Sequence, residues 1–296
     1  MSKRKQTDEE EEVGSETESG RVQVDFEFFD PNPDIDFVAL KRLIGQLFQA
    51  DADIFRPHLL AELILSQPLV GTTVKTDGRE SDPYAFLTVL NMHVHKVLLS
   101  VVRFLVHISH SSQDHPSIKA LTEYILSKSE ADPSLHQTLQ RILSPNASSH
   151  LGFVFSERLV NMPVEIVPHM YRMLADEIQW ACDDGEPYHF SHILVLSRTF
   201  TLSEEETEAA VASFQQQKRR KGAQDPSSTG GVFSFHHEDQ YTQELASHSL
   251  DFSLSNALPR EKESFGLEQG GRLILLPADK LPQLISNLAA TFLPSS

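Results

Sequence analysis

Residues 151–171 read LGFVFSERLVNMPVEIVPHMY, and the order of elements in this stretch decides the class of fold. Leu151 to Phe155 form an unbroken apolar run, short and rich in β-formers, which predicts a buried strand with Ser156 where it stops. The charged turn that follows leads into a helix whose apolar stripe is Val167, Met170, Tyr171, Leu174 and Ile178. Ser156 at a strand-to-helix joint invites comparison with a hydrolase nucleophile. A nucleophile elbow, however, needs small residues on both sides of the serine so that the strained turn exposes Oγ, and the flanks here are Phe155 and Glu157. Ser156 is therefore read as a polar joint, with Ser156 and Asn161 capping local turns and Pro163 and Pro168 presetting the entry of the helix.

The same alternation extends outward. Val22, Val24, Phe26 and Phe28 recur at period two in VQVDFEFF and predict a half-buried strand. A helix capped by Asp34 follows, with Phe37, Leu40, Ile44, Leu47 and Phe48 on one face, and a second helix covers roughly residues 57–65. LVGTTVK and PYAFLTVLNMHVHKVLLSVV predict two strands separated by the turn Asp77, Gly78, Arg79. Helices are expected over about 115–128 and 132–144, a strand in PYHFSHILVLSRTF, one or two strands between 232 and 254, a buried strand at RLILLP, and a closing helix carrying Leu281, Leu284, Ile285, Leu288 and Phe292. Strands alternate with helices, but the strand pair near 69–91 implies antiparallel pairing as well. The class is mixed α+β, in one domain over 21–296. Residues 1–20, apolar-poor and acidic, are expected to be disordered, and residues 202–231, polar with no strand periodicity, to form a flexible loop.

Charge narrows the function. The 296 residues carry a formal net charge of −17; the first 20 hold seven acids against three bases, so −13 belongs to the remainder. Such a body repels phosphate and is a poor direct binder of nucleic acid, whereas a basic protein is a suitable partner. Cys182 is the one cysteine, which leaves no disulfide framework or thiolate cluster and suits a reducing compartment. Met-Ser-Lys-Arg-Lys followed by acids is no secretory leader, and the most apolar run, VLLSVVRFLVHIS, is interrupted by Arg103, so neither secretion nor a membrane span is expected.

Other groupings in the sequence are of types that can carry chemistry. His93 and His95, at i and i+2, would share one face of a strand, and His107, His110 and His115 follow, but no HExxH or CxxC accompanies them and ordinary surface or part-buried histidines are expected. Gly270 and Gly271 precede a strand rather than open a helix, which reads as a turn and not as a phosphate cradle. The sequence thus offers no catalytic residue, no cofactor-binding set and no metal ligands. Two basic clusters remain, Lys3, Arg4 and Lys5, and Lys218, Arg219, Arg220 and Lys221. They serve either to solvate a tail and a loop or as nuclear-import signals.

The segments VDFEFFD, LKRLIGQLF, LVGTTVKTD, YAFLTVLNM, FSERLVNMPVEIVPHMY, LVLSRTF and LILLPADKL, in this order after an acidic amino-terminal tail, resemble the nuclear chaperone and transport proteins named BCCIP in animals, with a Bcp-type member in fungi. The resemblance implies a GNAT acetyltransferase-like fold: a central, mostly antiparallel sheet flanked by helices, with the coenzyme site absent. The residues offer a physical reason for that absence. A coenzyme pyrophosphate sits on free N–H groups at a Gly-rich strand-to-helix joint, whereas SERLVNMP has no glycine, adds Glu157 and loses a donor at Pro163.

What the resemblance implies about function is a non-enzymatic nuclear chaperone of a basic ribosomal protein of the large subunit, universal large-subunit protein fourteen. The alternative is a transport adaptor for nuclear cargo such as a lipid kinase. Partners would include nuclear import and export receptors, but no membrane or nucleic acid, and the protein would reside in the nucleus and shuttle to the cytoplasm. Glu9, Glu10, Glu11 and Glu12 would either make transient contacts with the client or keep the protein soluble.

Overall fold

The structure, a computed structural model, describes residues 24–67, 69–95, 110–111, 115–144, 147, 149–202, 231–257 and 267–293. Its frame is a sheet of strands β1 (Glu27–Phe29), β2 (Thr72–Lys75), β3 (Ala85–Asn91), β6 (His150–Arg158), β7 (Phe190–Thr201), β10 (Glu268–Pro277) and β9 (His248–Ser253), in that order across the sheet, with β8 (Val232–Ser234) paired to β7. A two-stranded ribbon, β4 (Val94–His95) with β5 (His110–Ser111), stands apart. The helices are α1 (Pro33–Phe48), α2 (Pro57–Leu65), α3 (Pro116–Ser129), α4 (Pro133–Ile142), α5 (Val167–Asp183), α6 (Asp239–Leu245) and α7 (Leu281–Phe292). The mixed α+β class is as the residues indicate, and the mostly antiparallel sheet flanked by helices is as the family resemblance implies.

The central strands read as continuous apolar runs because both of their faces are covered. Phe153, Phe155, Leu194, Leu196, Leu273 and Leu275 point to one face, where α1 to α4 pack. Val154, Ile193, Val195, Ile274 and Leu276 alternate onto the other, under α5 and α7. Large rings and leucines thus fill the side covered by α1 to α4, while mostly β-branched residues lie beneath α5 and α7. Buried ions fasten the edge of the sheet: Lys75 Nζ lies 2.6 Å from Asp36 Oδ1 with both side chains wholly buried. It also donates to the Arg79 carbonyl, so α1, β2 and the 76–81 turn are held by one ammonium.

Several local expectations are corrected. The cap of α1 is Asn32, whose side chain accepts from the Asp34 N–H, while Asp36 reaches back to accept from the Asn32 N–H at 2.7 Å. Asp34 is a first-turn acid rather than the cap. The 232–254 region holds a helix, α6, between its two strands. Gly270 and Gly271 do not form a turn: they lie within β10, paired on both sides to β7 and β9. The reason is space. A Cβ on Gly271 would fall 2.3 Å from Cζ of Phe252, whose ring lies against Tyr124 of α3, so glycine here admits an aromatic side chain between strand and helix. The proposed tail, residues 1–20, and nearly all of the 202–231 loop lie outside the described residues. No described helix is long and apolar enough to cross a membrane.

Gly271→Ala is expected to destabilise the protein by about 1–3 kcal/mol through overpacking. The same change in a Phe252→Ala background should cost less than half of that, measured by denaturant unfolding of all four proteins; equal costs in the two backgrounds would assign the glycine another role.

Candidate functional site, a fork between two parallel strands

β6 and β7 form the parallel pair of the sheet, connected through α5, and their ladder ends at Val154 opposite Val195. Beyond that point β6 stays with β3 as far as Arg158 opposite Ala85, while β7 takes β8 as its neighbour at Thr199 to Thr201. The strands therefore open into a fork. A gap between diverging strands leaves backbone and side-chain positions that must meet a ligand, water or other parts of the chain.

Here the chain itself fills the gap. Glu157 on β6 accepts from Arg198 Nε at 2.8 Å and Nη2 at 3.1 Å across the fork, from His236 Nε2 at 3.0 Å, from Gln46 Nε2 of α1 at 2.8 Å and from the Arg158 N–H at 2.9 Å. Arg158 in turn makes a two-pronged pair with Glu238, one prong at 2.9 Å, the geometry that best matches guanidinium to carboxylate. Asp239, the first residue of α6, accepts from the Ser197 hydroxyl. The Arg198 guanidinium lies 4.5 Å over the Phe235 ring, and the Phe235 N–H donates to the Arg198 carbonyl at 3.1 Å. These six ionisable side chains are between 1% and 8% exposed.

Their titration follows from the same contacts. Burial alone would raise Glu157, but the hydrogen bond and charge of His236 and the Arg198 guanidinium hold it below the usual carboxylate range. Glu238 behaves alike: against burial, Arg158 and His236 keep it low. For His236 burial works against the cation, and the hydrogen bond to Glu157 with the charge of Glu238 prevails and raises it. Asp239 is the exception: burial and the neighbouring Glu238 push it up to about 6 despite His236. Tyr171 of α5, facing the same acids, is raised by burial first.

Ser156 is not the joint. It lies within β6 opposite Leu87, half-buried, and shares a hydrogen bond with Tyr171. The strand runs three residues past Phe155 because Glu157 and Arg158 find ionic partners and need no solvent. The joint proper is 159–163, where Pro163 precedes a short 3-10 turn and Pro168 sits in the first turn of α5. His93 and His95 do not share a strand face: His93 lies in the bend after β3, its ring stacked 4.9 Å from that of His150 and its Nε2–H donated to the Ile142 carbonyl at 2.7 Å. Burial lowers its pKa. His95 opposes His110 in the β4–β5 ribbon, His115 caps α3, and His107 lies outside the described residues, as do Glu9, Glu10, Glu11, Glu12, Lys3, Arg4, Lys5, Lys218, Arg219, Arg220 and Lys221. The ionic fork was missed by the sequence reading. Its signal was Glu157, Arg158 and Arg198 standing inside otherwise apolar strand runs, where lone charges are not tolerated.

A family model described as BCCIP matches residues 21–242, and the chain belongs to that family. It is similar to Protein bcp1 of Aspergillus fumigatus, 41% identical over 275 residues and spanning 90% of this chain and 86% of the relative. With Protein bcp1 of Schizosaccharomyces pombe it shares 38% identity over 299 residues, 97% of this chain and 98% of the relative. The crystal structure of BCP1 from Saccharomyces cerevisiae superposes with a TM-score of 0.58 at 26% identity, covering 95% of this chain and 93% of that one. The fold and the family are those of the fungal Bcp1-type proteins.

Two outcomes are expected of the fork. Glu157→Gln leaves two buried cations without a full counter-charge and should cost about 3–5 kcal/mol of unfolding free energy, read from denaturant titration; a loss below 1 kcal/mol would mean that the cations pair elsewhere. Asp239→Asn should change the pH dependence. A raised carboxyl favours the fold while protonated, and that contribution disappears as pH rises from the unfolded value of 3.8 through about 6. The variant escapes this loss, so its stability relative to the parent should rise by about 2 kcal/mol between pH 4 and pH 7. A difference that is flat across that interval would show Asp239 to be ionised throughout.

Proposed function

We propose that this protein is a non-enzymatic nuclear chaperone that binds a newly made basic ribosomal protein of the large subunit, universal large-subunit protein fourteen, before its assembly. The observation that carries this reading is the filled fork. One parallel pair opening within an antiparallel sheet supports a likeness to the GNAT acetyltransferases, in which such an opening would receive a coenzyme; here Glu157, Arg198, His236, Glu238 and Arg158 occupy it. The nearby joint adds no phosphate cradle, since SERLVNMP carries no glycine. Binding by the outer surface is what remains.

Charge selects the client. With −13 outside the first 20 residues, the body attracts a basic protein at long range and neutralises surface that would otherwise bind RNA indiscriminately. Nuclear residence with shuttling to the cytoplasm, through import receptors reading Lys3, Arg4, Lys5 and Lys218, Arg219, Arg220, Lys221, belongs to the same proposal, as do contacts of Glu9, Glu10, Glu11 and Glu12 with the client. Carriage of a lipid kinase remains the other activity suggested by the family resemblance, and no feature of the described surface favours it.

The test is association of the full chain with the purified ribosomal protein by surface plasmon resonance at several salt concentrations, with isothermal titration of acetyl-CoA alongside. Association is expected to slow steeply with salt while dissociation changes little, because exposed attractions are screened over roughly 8 Å at physiological salt and a desolvated anchor is not. Deleting residues 1–20 should remove only part of the salt slope. Saturable micromolar binding of acetyl-CoA, or no capture of the ribosomal protein, would overturn the proposal.

A further inference from the structure

Trp180 is the one tryptophan of the chain, and it is 61% exposed near the end of α5. An indole left in water forgoes burial that would favour folding, and aromatic side chains of this size are characteristic of interface anchors. Its surroundings are as specific as its exposure. Asp176 lies one turn before it and Asp183 and Asp184 one turn after, all exposed. Among the described residues these three carboxylates form no ion pair, and the last turn of α5 holds no basic residue.

The placement works against the fold. Asp183 and Asp184, at the C-terminal end of α5, face the negative end of the helix macrodipole, which disfavours them. The local negative potential is also felt by neighbours: Cys182 is raised by burial and by Asp183, and Glu177 by burial, with Asp30 and Asp176 adding to it. Glu177 accepts from the Gly71 N–H at 2.8 Å, which ties the 69–71 segment to this part of the helix. Leu69 on that segment is itself 37% exposed.

We propose that the C-terminal face of α5, with Trp180 as anchor and Asp176, Asp183 and Asp184 around it, is the docking surface for an Arg/Lys-rich segment of a basic protein. A guanidinium stacks on the indole face while its N–H groups, and those of adjoining cations, reach the carboxylates. Binding then offsets the unfavourable helix-end charges, which gives the complex an energy the free protein lacks. Leu69 receives the aliphatic stem of a long basic side chain. The inference rests on the chaperone reading for its choice of client, but the surface itself is defined by cation chemistry and is tested with a simpler probe.

Because Trp180 is the chain's one tryptophan, its emission reports this surface directly. The full chain is titrated with an oligoarginine peptide and, separately, with the purified large-subunit protein, following intrinsic fluorescence and, for binding to variants, anisotropy of the labelled ligand. Three variants are compared: Trp180→Ala; Asp176→Asn with Asp183→Asn and Asp184→Asn; and a charge-matched control, Glu27→Gln with Glu80→Gln and Glu130→Gln, all three exposed and elsewhere. Saturable change of Trp180 emission by oligoarginine, with affinity reduced about tenfold or more in the first two variants and under about threefold in the control, supports the surface. Equal weakening by both triple variants would show that net charge alone is sensed, and undiminished binding by Trp180→Ala and the aspartate variant would place the surface elsewhere; either overturns the inference and leaves the chaperone reading standing. Binding of oligoarginine at Trp180 without binding of the ribosomal protein would support the surface and refute the client. Matching thermal midpoints of the variants exclude a folding cause, as their exposed positions lead one to expect.

Discussion

The carboxylate of Glu157 is the point on which the centre of the molecule turns. Two parallel strands that separate halfway along their length expose polar backbone on both inner edges, and a protein either lends that space to a ligand or fills it. Five donors from α1, β6, β7 and the β8–α6 connection converge on this one side chain. Without its negative charge, Arg198 would lose its carboxylate partner and His236 its hydrogen-bonded one, and the connection that carries His236 and Glu238 would be held to β6 by the Arg158–Glu238 pair without the second tie. Hydrophobic burial supplies the bulk of the folding energy here as elsewhere. The ionic fork fixes something different, namely the angle at which β6 leaves β7 and the seat of α6 on the sheet.

Buried ion pairs are seldom more stabilising than the apolar residues that could replace them, so their use at two places in one sheet calls for a physical reason. In both, the pair joins residues that are far apart in sequence and share no ladder hydrogen bonds at that point. Lys75 with Asp36 ties β2, the strand next to the edge, to the start of α1, and Glu157 with Arg198 spans strands that no longer share a ladder. A directional contact sets register where side-chain packing alone would tolerate slippage.

The apolar pattern made most of the architecture legible. Runs such as FVF, ILVL and LILL carry the period-two exchange of bulky and β-branched residues that places a strand between two helical layers, and the stripes of α1, α5 and α7 lie where helical spacing puts them. The errors share one cause. Taken locally, Ser156 suggests a joint and Gly270 and Gly271 a turn, because polar and small residues commonly punctuate a chain. In the fold each is explained by a residue distant in the chain: Tyr171 for Ser156, and Phe252 for Gly271. Glu157 and Arg198 were passed over for the same reason, since the partner that makes a buried charge tolerable lies 41 positions away.

Sequence separation also bears on how the fork assembles. Gln46 is 111 positions from Glu157 and His236 is 79, so the network closes only after the sheet and α1 have come together, because long loops lose more entropy on closure than local contacts do. The chain between Leu202 and Gly231 lies inside the second of these loops. Its length enters the closure entropy only logarithmically, with about 0.6 kcal/mol for each doubling. The fork is therefore nearly indifferent to how long that connection is, provided that its far end delivers Phe235, His236 and Glu238 to the open side of β7. The residues that follow Gly231 are, by contrast, held to particular ionic partners: His236 to Glu157 and Glu238 to Arg158.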